Sequence, residues 1–164
     1  MQMFINITFF DIILIGIVAN ITTDLYEFTI ERYLGKTRDW HLVGRWMITI
    51  PRDSFIIDPD DDTQATSGEL RLGWIFHYIV GILFAAIYLV VVHFVLNTHP
   101  SFVNAVGFGI ITVVAPWFIL MPALGAGMFA SKAARPNFVR VLSLSVHIVF
   151  GIGLYFGVVV AGLT

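Results

Sequence analysis

Four long apolar stretches divide the chain, at about residues 4–33, 72–96, 102–130 and 138–162. Each stretch is long enough to cross a bilayer as an α-helix, which requires roughly 20 residues. Most charged side chains lie between these stretches, and the longest connection covers residues 35–69. The pattern therefore predicts an all-α membrane protein, a single transmembrane domain of four helices.

A histidine motif occurs in both the second and the fourth apolar stretch. In each, a small residue, a histidine and a glycine follow one another at intervals of four: Gly73, His77 and Gly81, then Ser143, His147 and Gly151. This spacing puts the three residues on one helical stripe, where the small residues let a neighbouring helix approach the imidazole. The repeat indicates two helical hairpins related by a pseudo-two-fold axis along the membrane normal, with both imidazoles facing that axis.

The first connection has two parts with different compositions. Residues 38–51 mix tryptophan and arginine with aliphatic side chains, which is typical of a short interfacial helix with aromatic anchors. Residues 58–69 place Asp at positions 1, 3 and 5 and Glu at position 12 of a calcium-loop template. Thr63 occupies the position where that template needs glycine, so a solvated acidic turn is favoured over a calcium site.

The composition supports a membrane protein and limits the kinds of partner and metal ligand it could have. The chain has 164 residues, of which 58% are hydrophobic and 12% are charged, whereas about a quarter of the residues in an ordinary soluble domain are charged. With a net charge of −2, the chain has no basic face that could neutralise a run of phosphates, which argues against a nucleic-acid partner. Because cysteine is absent, any metal ligand would have to be histidine, carboxylate or methionine.

The basic residues predict the orientation of the helices. All of them fall in or beside the first and third connections: Arg32, Lys36, Arg38, Arg45, Arg52, Arg71, Lys132, Arg135 and Arg140. The second connection, residues 97–100, has none. Because positive charge is retained in the cytoplasm, these two connections are expected to face it and both termini to lie on the outer side.

One polar layer is predicted inside the bundle. A carboxylate at membrane depth is costly and usually faces the bundle interior, so Asp24 is a candidate functional residue. Counted at 1.5 Å per residue from the nearest basic residue of each helix, Asp24, His77 and His147 all lie about 9–12 Å inside the same boundary. Glu27, one turn nearer that boundary, joins this candidate site, although a solvated helix end paired with a nearby cation is the simpler interpretation.

Several chemistries are compatible with this layer. A proton or ion relay uses groups that change charge at moderate cost, as imidazole does near neutral pH. A divalent metal could be held by Asp24, His77 and His147, and haem b could take His77 and His147 as axial ligands. In a purely structural interpretation, the histidines form hydrogen bonds in the core and make the helix contacts specific.

The third apolar stretch contains two prolines, Pro116 and Pro122, with Met121 before the second. Each proline lacks a backbone N–H and frees the carbonyl four residues earlier. A helix broken in this way often lines a cavity in membrane proteins, so Pro116, Met121 and Pro122 are candidate cavity-lining residues. A kinked helix whose glycines only allow tight packing is the alternative.

No hydrolase elbow, phosphate-binding loop, zinc-protease motif or dinucleotide fingerprint occurs, so the sequence favours a protein that is not an enzyme. We expect a small transporter or a proton- or ion-coupled module embedded in the lipid bilayer. The alternatives are a metal- or haem-binding redox subunit and a structural subunit of a larger membrane complex or a homo-oligomer.

Short motifs spread over nearly the whole chain form a recognisable set: Asp24-Leu25, Leu42-Val-Gly-Arg-Trp46, Gly73-Trp74, His77-Tyr78, Ala115-Pro116, Arg135-Pro-Asn137 and His147-x-x-Phe-Gly151. As a set they resemble an uncharacterised bacterial family of small four-helix integral membrane proteins, a domain of unknown function. The resemblance implies a multi-pass protein of the inner (cytoplasmic) membrane, in which the outer side is the periplasm. It implies no activity.

Overall fold

A computed structural model describes residues 7–35, 39–51, 55–57 and 63–163. All regular structure in these residues is helical, and four helices are long and apolar enough to cross a membrane: Phe9–Leu34, Ser67–Val95, Phe102–Ala123 and Pro136–Val160. The prediction of an all-α protein with four membrane-spanning helices is confirmed. These four helices indicate a multi-pass membrane protein.

Some sequence predictions fall outside the described residues. These are the first residues of the predicted first helix, residues 58–62 of the acidic turn considered as a calcium candidate, and three of the basic residues, Lys36, Arg38 and Arg52. The calcium hypothesis therefore stays a prediction. The sequence disfavours it, because Thr63 stands where the calcium loop needs glycine.

Helix α1 spans Phe9–Leu34 and has a defined start and end. Thr8 and Asp11 form a capping box, in which the Thr8 N–H donates to the Asp11 carboxylate at 2.7 Å, so the helix begins at Phe9. At the other end Gly35 has φ +78°, and its N–H donates to the Glu31 carbonyl. Glycine adopts this left-handed conformation without a Cβ penalty, which ends the helix.

Helix α2, Trp40–Thr49, is the short helix predicted in the first connection, and it packs along α3, Ser67–Val90. The two backbones approach most closely where Gly44 meets the carbonyl of Glu69 and where Gly73 meets the carbonyl of Trp40. Arg45 forms an ion pair with Glu69 at 2.8 Å beside these contacts. The pairing holds α2 against the start of α3, whose last turns continue as a π-helical segment, Val91–Val95.

The third span is one helical run of 22 residues, Phe102–Ala123, whose hydrogen-bonding pattern changes near its two prolines. Helix α4, Phe102–Thr112, is followed by a π-helical turn, Pro116–Leu120, and a short helical segment, Met121–Ala123. The span ends at Ala123, whereas the apolar pattern suggests about residue 130. The reason is backbone conformation, because positive φ angles recur in the next residues: Gly125, Gly127, Phe129 and Ala130.

Helix α5, Pro136–Val160, completes a bundle in which α1 lies between α3 and α5. Glycines make these contacts close: Gly153 and Gly157 of α5 lie against Ala19 and Ile15 of α1. On its other side α5 packs against α4, with Gly151 lying against the backbone of Ala105 and Val106. The gap between α3 and α4 is filled by aromatic rings: Phe84, Tyr88, Phe108 and Phe150.

Candidate functional site

A polar contact between two spanning helices joins Asp24 of α1 to His77 of α3. The imidazole Nε2 lies 2.9 Å from Asp24 Oδ1, and the hydroxyl of Tyr78 donates to Asp24 Oδ2, also at 2.9 Å. The His77 side chain is 10% exposed and that of Asp24 is 21% exposed. Both carboxylate oxygens are thus bound by neighbouring groups of α3, while Asp24 keeps some access to its surroundings.

The geometry of this pair allows a proton to rest on either residue. An ionised carboxylate only accepts hydrogen bonds, so with Asp24 ionised His77 donates from Nε2. If His77 is an imidazolium and its Nε2 proton moves to Oδ1, the same contact persists with Asp24 as donor and Nε2 as acceptor, and the neutral imidazole keeps its other proton on Nδ1. Tyr78 donates to Oδ2 in both cases. Proton transfer along this hydrogen bond therefore requires no movement of heavy atoms.

Aromatic rings and one amide hold His77 in place. The indole of Trp40 lies 4.6 Å from the imidazole, measured between ring centroids, and that of Trp74 lies 5.7 Å away in an edge-on arrangement. Asn20, which is 1% exposed, donates from Nδ2 to the His77 carbonyl at 3.3 Å. Gly81, one turn further along α3, leaves room for this amide.

The Asp24 side chain lines an open cleft between α1, α2 and the start of α3. The cleft has a volume of about 300 Å³. Carboxylates and aromatic or aliphatic side chains line it: Asp24, Glu27, Phe28, Glu31, Asp39, Trp40, His41, Leu70 and Trp74. Glu27, which the sequence analysis adds to the site, is 8% exposed and belongs to this lining.

His147 lies at a different helix interface. Its Nδ1 is 2.9 Å from the hydroxyl oxygen of Thr112, which itself lies 2.6 Å from the Gly109 carbonyl. Since a carbonyl cannot donate, the single hydroxyl hydrogen belongs in the bond to Gly109, and His147 must donate from Nδ1. His147 therefore ties α5 to α4, whereas His77 ties α3 to α1.

Each histidine thus contacts the spanning helix that precedes its own in the chain: His77 of α3 contacts α1, and His147 of α5 contacts α4. The expected convergence of both imidazoles on a common axis does not occur: the structure brings Asp24 and His77 together and places His147 at the α4–α5 interface. In the part of the chain that the structure describes, no three His, Asp or Glu side chains are grouped so that they could hold a metal ion. The metal hypothesis, with Asp24, His77 and His147 as ligands, has no support here, and the haem hypothesis has none either.

The remaining candidates from the sequence, the predicted cavity-lining residues, lie in the second half of the third span. Pro116 opens the π-helical turn, and Met121 and Pro122 begin the segment that follows it. None of these residues lines the cleft beside Asp24. Their role as cavity-lining residues stays a prediction.

Sequence reasoning did not assign Tyr78, Trp40 or Trp74 to the site. One signal was available, because Tyr78 follows His77 directly and Trp74 precedes it by three residues, so all three lie on neighbouring faces of one helix. Trp40 gave no such signal, since its position depends on the docking of α2.

Replacing Thr112 with valine tests the structural interpretation of His147. The variant removes the acceptor of the part-buried Nδ1–H, so we expect a loss of about 1 kcal/mol in the free energy of unfolding. Thr29→Val is the matched control, because Thr29 also bonds to a carbonyl of its own helix but is exposed. Thermal unfolding of both variants in detergent measures the difference, and equal stabilities would contradict this role.

Comparison with known proteins gives a match to a family model. A family model described as "Protein of unknown function (DUF2938)" matches residues 13–161. The matched range includes Asp24, His77, Tyr78 and His147 and reaches from α1 to the end of α5. No curated protein and no solved structure gives a match.

Proposed function

The chain belongs to this family of proteins of unknown function, and from the geometry of its site we propose that it is a proton-coupled transport module. In this proposal the Asp24–His77 pair takes up and releases the proton. The observation that carries it is the 2.9 Å contact between a carboxylate and an imidazole from two membrane-spanning helices, at the edge of an open cleft.

The energetic cost of the pair supports a functional role. Ionisable groups inside a membrane are expensive to bury and are usually found where protons, ions or substrates pass. A purely structural contact between α1 and α3 would need only a neutral hydrogen bond, such as the one that Asn20 already makes to the His77 carbonyl. An acid and a base at hydrogen-bond distance add the capacity to exchange a proton.

The arrangement of the bundle supports access from one side. The cleft lies at the end of α1 and the start of α3, next to the basic first connection, which the positive-inside bias assigns to the cytoplasm. Towards the other end, fully buried side chains of α1, α3 and α5 fill the core, including Ile15, Ala85 and Leu154. We therefore propose an inner-membrane protein with periplasmic termini, in which the proton site opens to the cytoplasm and transport requires the helices to rearrange.

Proton flux into proteoliposomes tests this function. With a pH-sensitive dye trapped inside and the membrane potential clamped, an imposed pH gradient should dissipate faster in vesicles that contain the protein than in empty ones. Equal rates would contradict the proposal. The proposal includes proton passage through the site in the absence of the transported substrate, so the pH gradient alone drives this assay.

Tyr78→Phe should slow this flux without abolishing it. The variant removes one of the two hydrogen bonds to Asp24 and leaves His77 in contact, so a decrease of about three- to tenfold is expected from the net contribution of one ordinary hydrogen bond. Tyr26→Phe, on a helix face that contributes nothing to the lining of the cleft, is the control and should transport as the wild type does. A Tyr78→Phe rate equal to that of Tyr26→Phe would remove Tyr78 from the mechanism.

A further inference from the structure

We propose that Trp40 is a positioning residue of the proton site and that α2, which carries it, transmits the protonation of His77 to the third span. The inference deepens the proposed function, on which it rests for the role of His77 as the proton acceptor. Its evidence is separate, because it comes from the contacts at the two ends of α2 and from the backbone of the third span.

The first residue of α2 lies directly on the proton site. The ring centroids of Trp40 and His77 are 4.6 Å apart, with an angle of 44° between the ring planes. An indole attracts a cation within about 6 Å of its ring centroid, so this contact is stronger when His77 is an imidazolium than when it is neutral. One contact of this kind changes the balance between two arrangements of a helix by about two- to fivefold. The position of Trp40 therefore depends on the charge of His77.

The second half of α2 contacts the end of the third span. Trp46, which is buried, packs edge-on against Phe76 of α3 and donates from Nε1 to the Phe55 carbonyl at 2.9 Å. The N–H of Ile57 in turn donates to the Ala123 carbonyl, also at 2.9 Å. The side chains of Trp46, Ile57 and Ala123 form one buried apolar cluster. A shift of α2 therefore reaches the last residue of the third span.

The packing of α2 on α3 permits a small shift of one helix along the other. Gly44 and Gly73 bring the two backbones together, and a glycine has no side chain that would interlock with the partner helix. Packed helices move by small sliding displacements of this kind. The Arg45–Glu69 ion pair, at 2.8 Å, keeps α2 docked while its ends adjust.

The third span contains a segment suited to a second arrangement. Its hydrogen bonding becomes π-helical at Pro116–Leu120, a feature often found at functional sites. The buried Nε1 of Trp117 has no hydrogen-bond partner among the described residues, so a conformation that pairs it gains stability. Trp117 also packs edge-on against Phe129, a non-glycine residue with φ +55°. Such strain persists only where the surroundings impose it, so a displacement at Ala123 can release it.

Fluorine NMR of the full-length protein in lipid nanodiscs tests the link at both ends. The chain has four tryptophans, so 5-fluorotryptophan gives one resonance each, assigned by replacing each tryptophan with phenylalanine. Trp74, whose ring centroid lies 5.7 Å from that of His77, reports the charge of His77, and Trp117 reports the third span. A pH titration between about 5 and 8 should shift both resonances with one midpoint. An unchanged Trp117 resonance would overturn the proposal.

Variants of the first connection separate transmission from protonation. Trp40→Leu should abolish the Trp117 response while Trp74 still responds, and Trp40→Phe, which keeps an aromatic face, should retain it. Ile57→Ala, in the buried cluster, should reduce the Trp117 response. Ile50→Ala, the matched control at an exposed position, should not. A Trp117 response that survives Trp40→Leu, or the loss of both responses in that variant, would leave Trp40 with a structural role only and contradict the proposal.

Other groups that change charge require controls of their own. Around the proton site they belong to α1, α2 and α3: Asp24, Glu27, Glu31, Asp39, His41 and Tyr78. Imidazoles ordinarily titrate near neutral pH, and besides His41 the second one to consider is His147, which contacts Thr112 on the span of Trp117. His77→Gln should abolish the responses of both reporter tryptophans. His41→Gln and His147→Gln should leave them unchanged, and loss of the Trp117 response in either would place its origin elsewhere and refute the link.

This inference and the proposed function can fail separately. If Trp117 responds through α2 but proteoliposomes show no proton flux, the conformational link exists and the transport function is wrong. If flux depends on Asp24 and His77 while Trp117 does not respond, the function stands and the link through α2 is wrong.

Discussion

Asp24→Asn and His77→Gln are each expected to reduce proton flux in proteoliposomes to the rate of empty vesicles. Both substitutions preserve size and hydrogen-bonding capacity, but neither an amide of asparagine nor one of glutamine can take up and release a proton near neutral pH. The contact between the two side chains can therefore persist while its function is lost. The expected decrease is at least about a hundredfold, the lower range for removing a general acid or base.

One further variant makes this expectation specific. Asp11→Asn changes a carboxylate of the same helix that caps its first turn, and it should leave the flux unchanged. Normal flux in Asp24→Asn or His77→Gln, with the protein folded, would contradict a shared proton.

Gly153→Val is expected to cause the largest loss of stability of the substitutions considered. A Cβ atom at this position would lie 2.7 Å from the Cα of Ala19 and 3.0 Å from the Cβ of Thr22. Since the first of these atoms is backbone, no rotation of a side chain relieves the clash, and α5 must move away from α1. We expect a loss of at least about 3 kcal/mol, the upper range for overpacking, and a melting temperature lower by about 10 °C.

Gly107→Val is the matched control for this prediction. It introduces the same side chain into another spanning helix, α4, where a Cβ atom would have no neighbour within 4 Å. Its effect should stay within about 0.5 kcal/mol, as for other substitutions that touch little. Thermal unfolding followed by circular dichroism compares the two, and similar melting temperatures would contradict the proposed close contact of α1 and α5.

The spans could be predicted from the sequence because hydropathy over about 20 residues is a strong signal in a membrane protein. Their ends were less predictable, and the third span illustrates why. The residues after Ala123 remain apolar, so hydropathy continues, whereas the helix ends because the backbone turns at Gly125 and Gly127. Composition alone does not contain this conformational information.

The candidate site could be predicted in part. Counting residues from the basic boundary estimates depth, and Asp24 and His77, which this count places in one layer, are in contact in the structure. The same count places His147 in that layer, but depth does not specify which neighbouring helix a side chain faces. His147 faces α4 because Gly109 and Gly151 let those two helices approach, and this pairing depends on the tertiary arrangement.

The contact between α1 and α5 has a consequence for biosynthesis. The first of the four described spans packs against the fourth, through Ile15 and Ala19 on one side and Gly157 and Gly153 on the other. During synthesis this surface of α1 stays uncovered until α5 has entered the lipid. A chain that stops before residue 136 would keep it uncovered permanently, so nascent fragments of this protein should be short-lived substrates of membrane quality-control proteases.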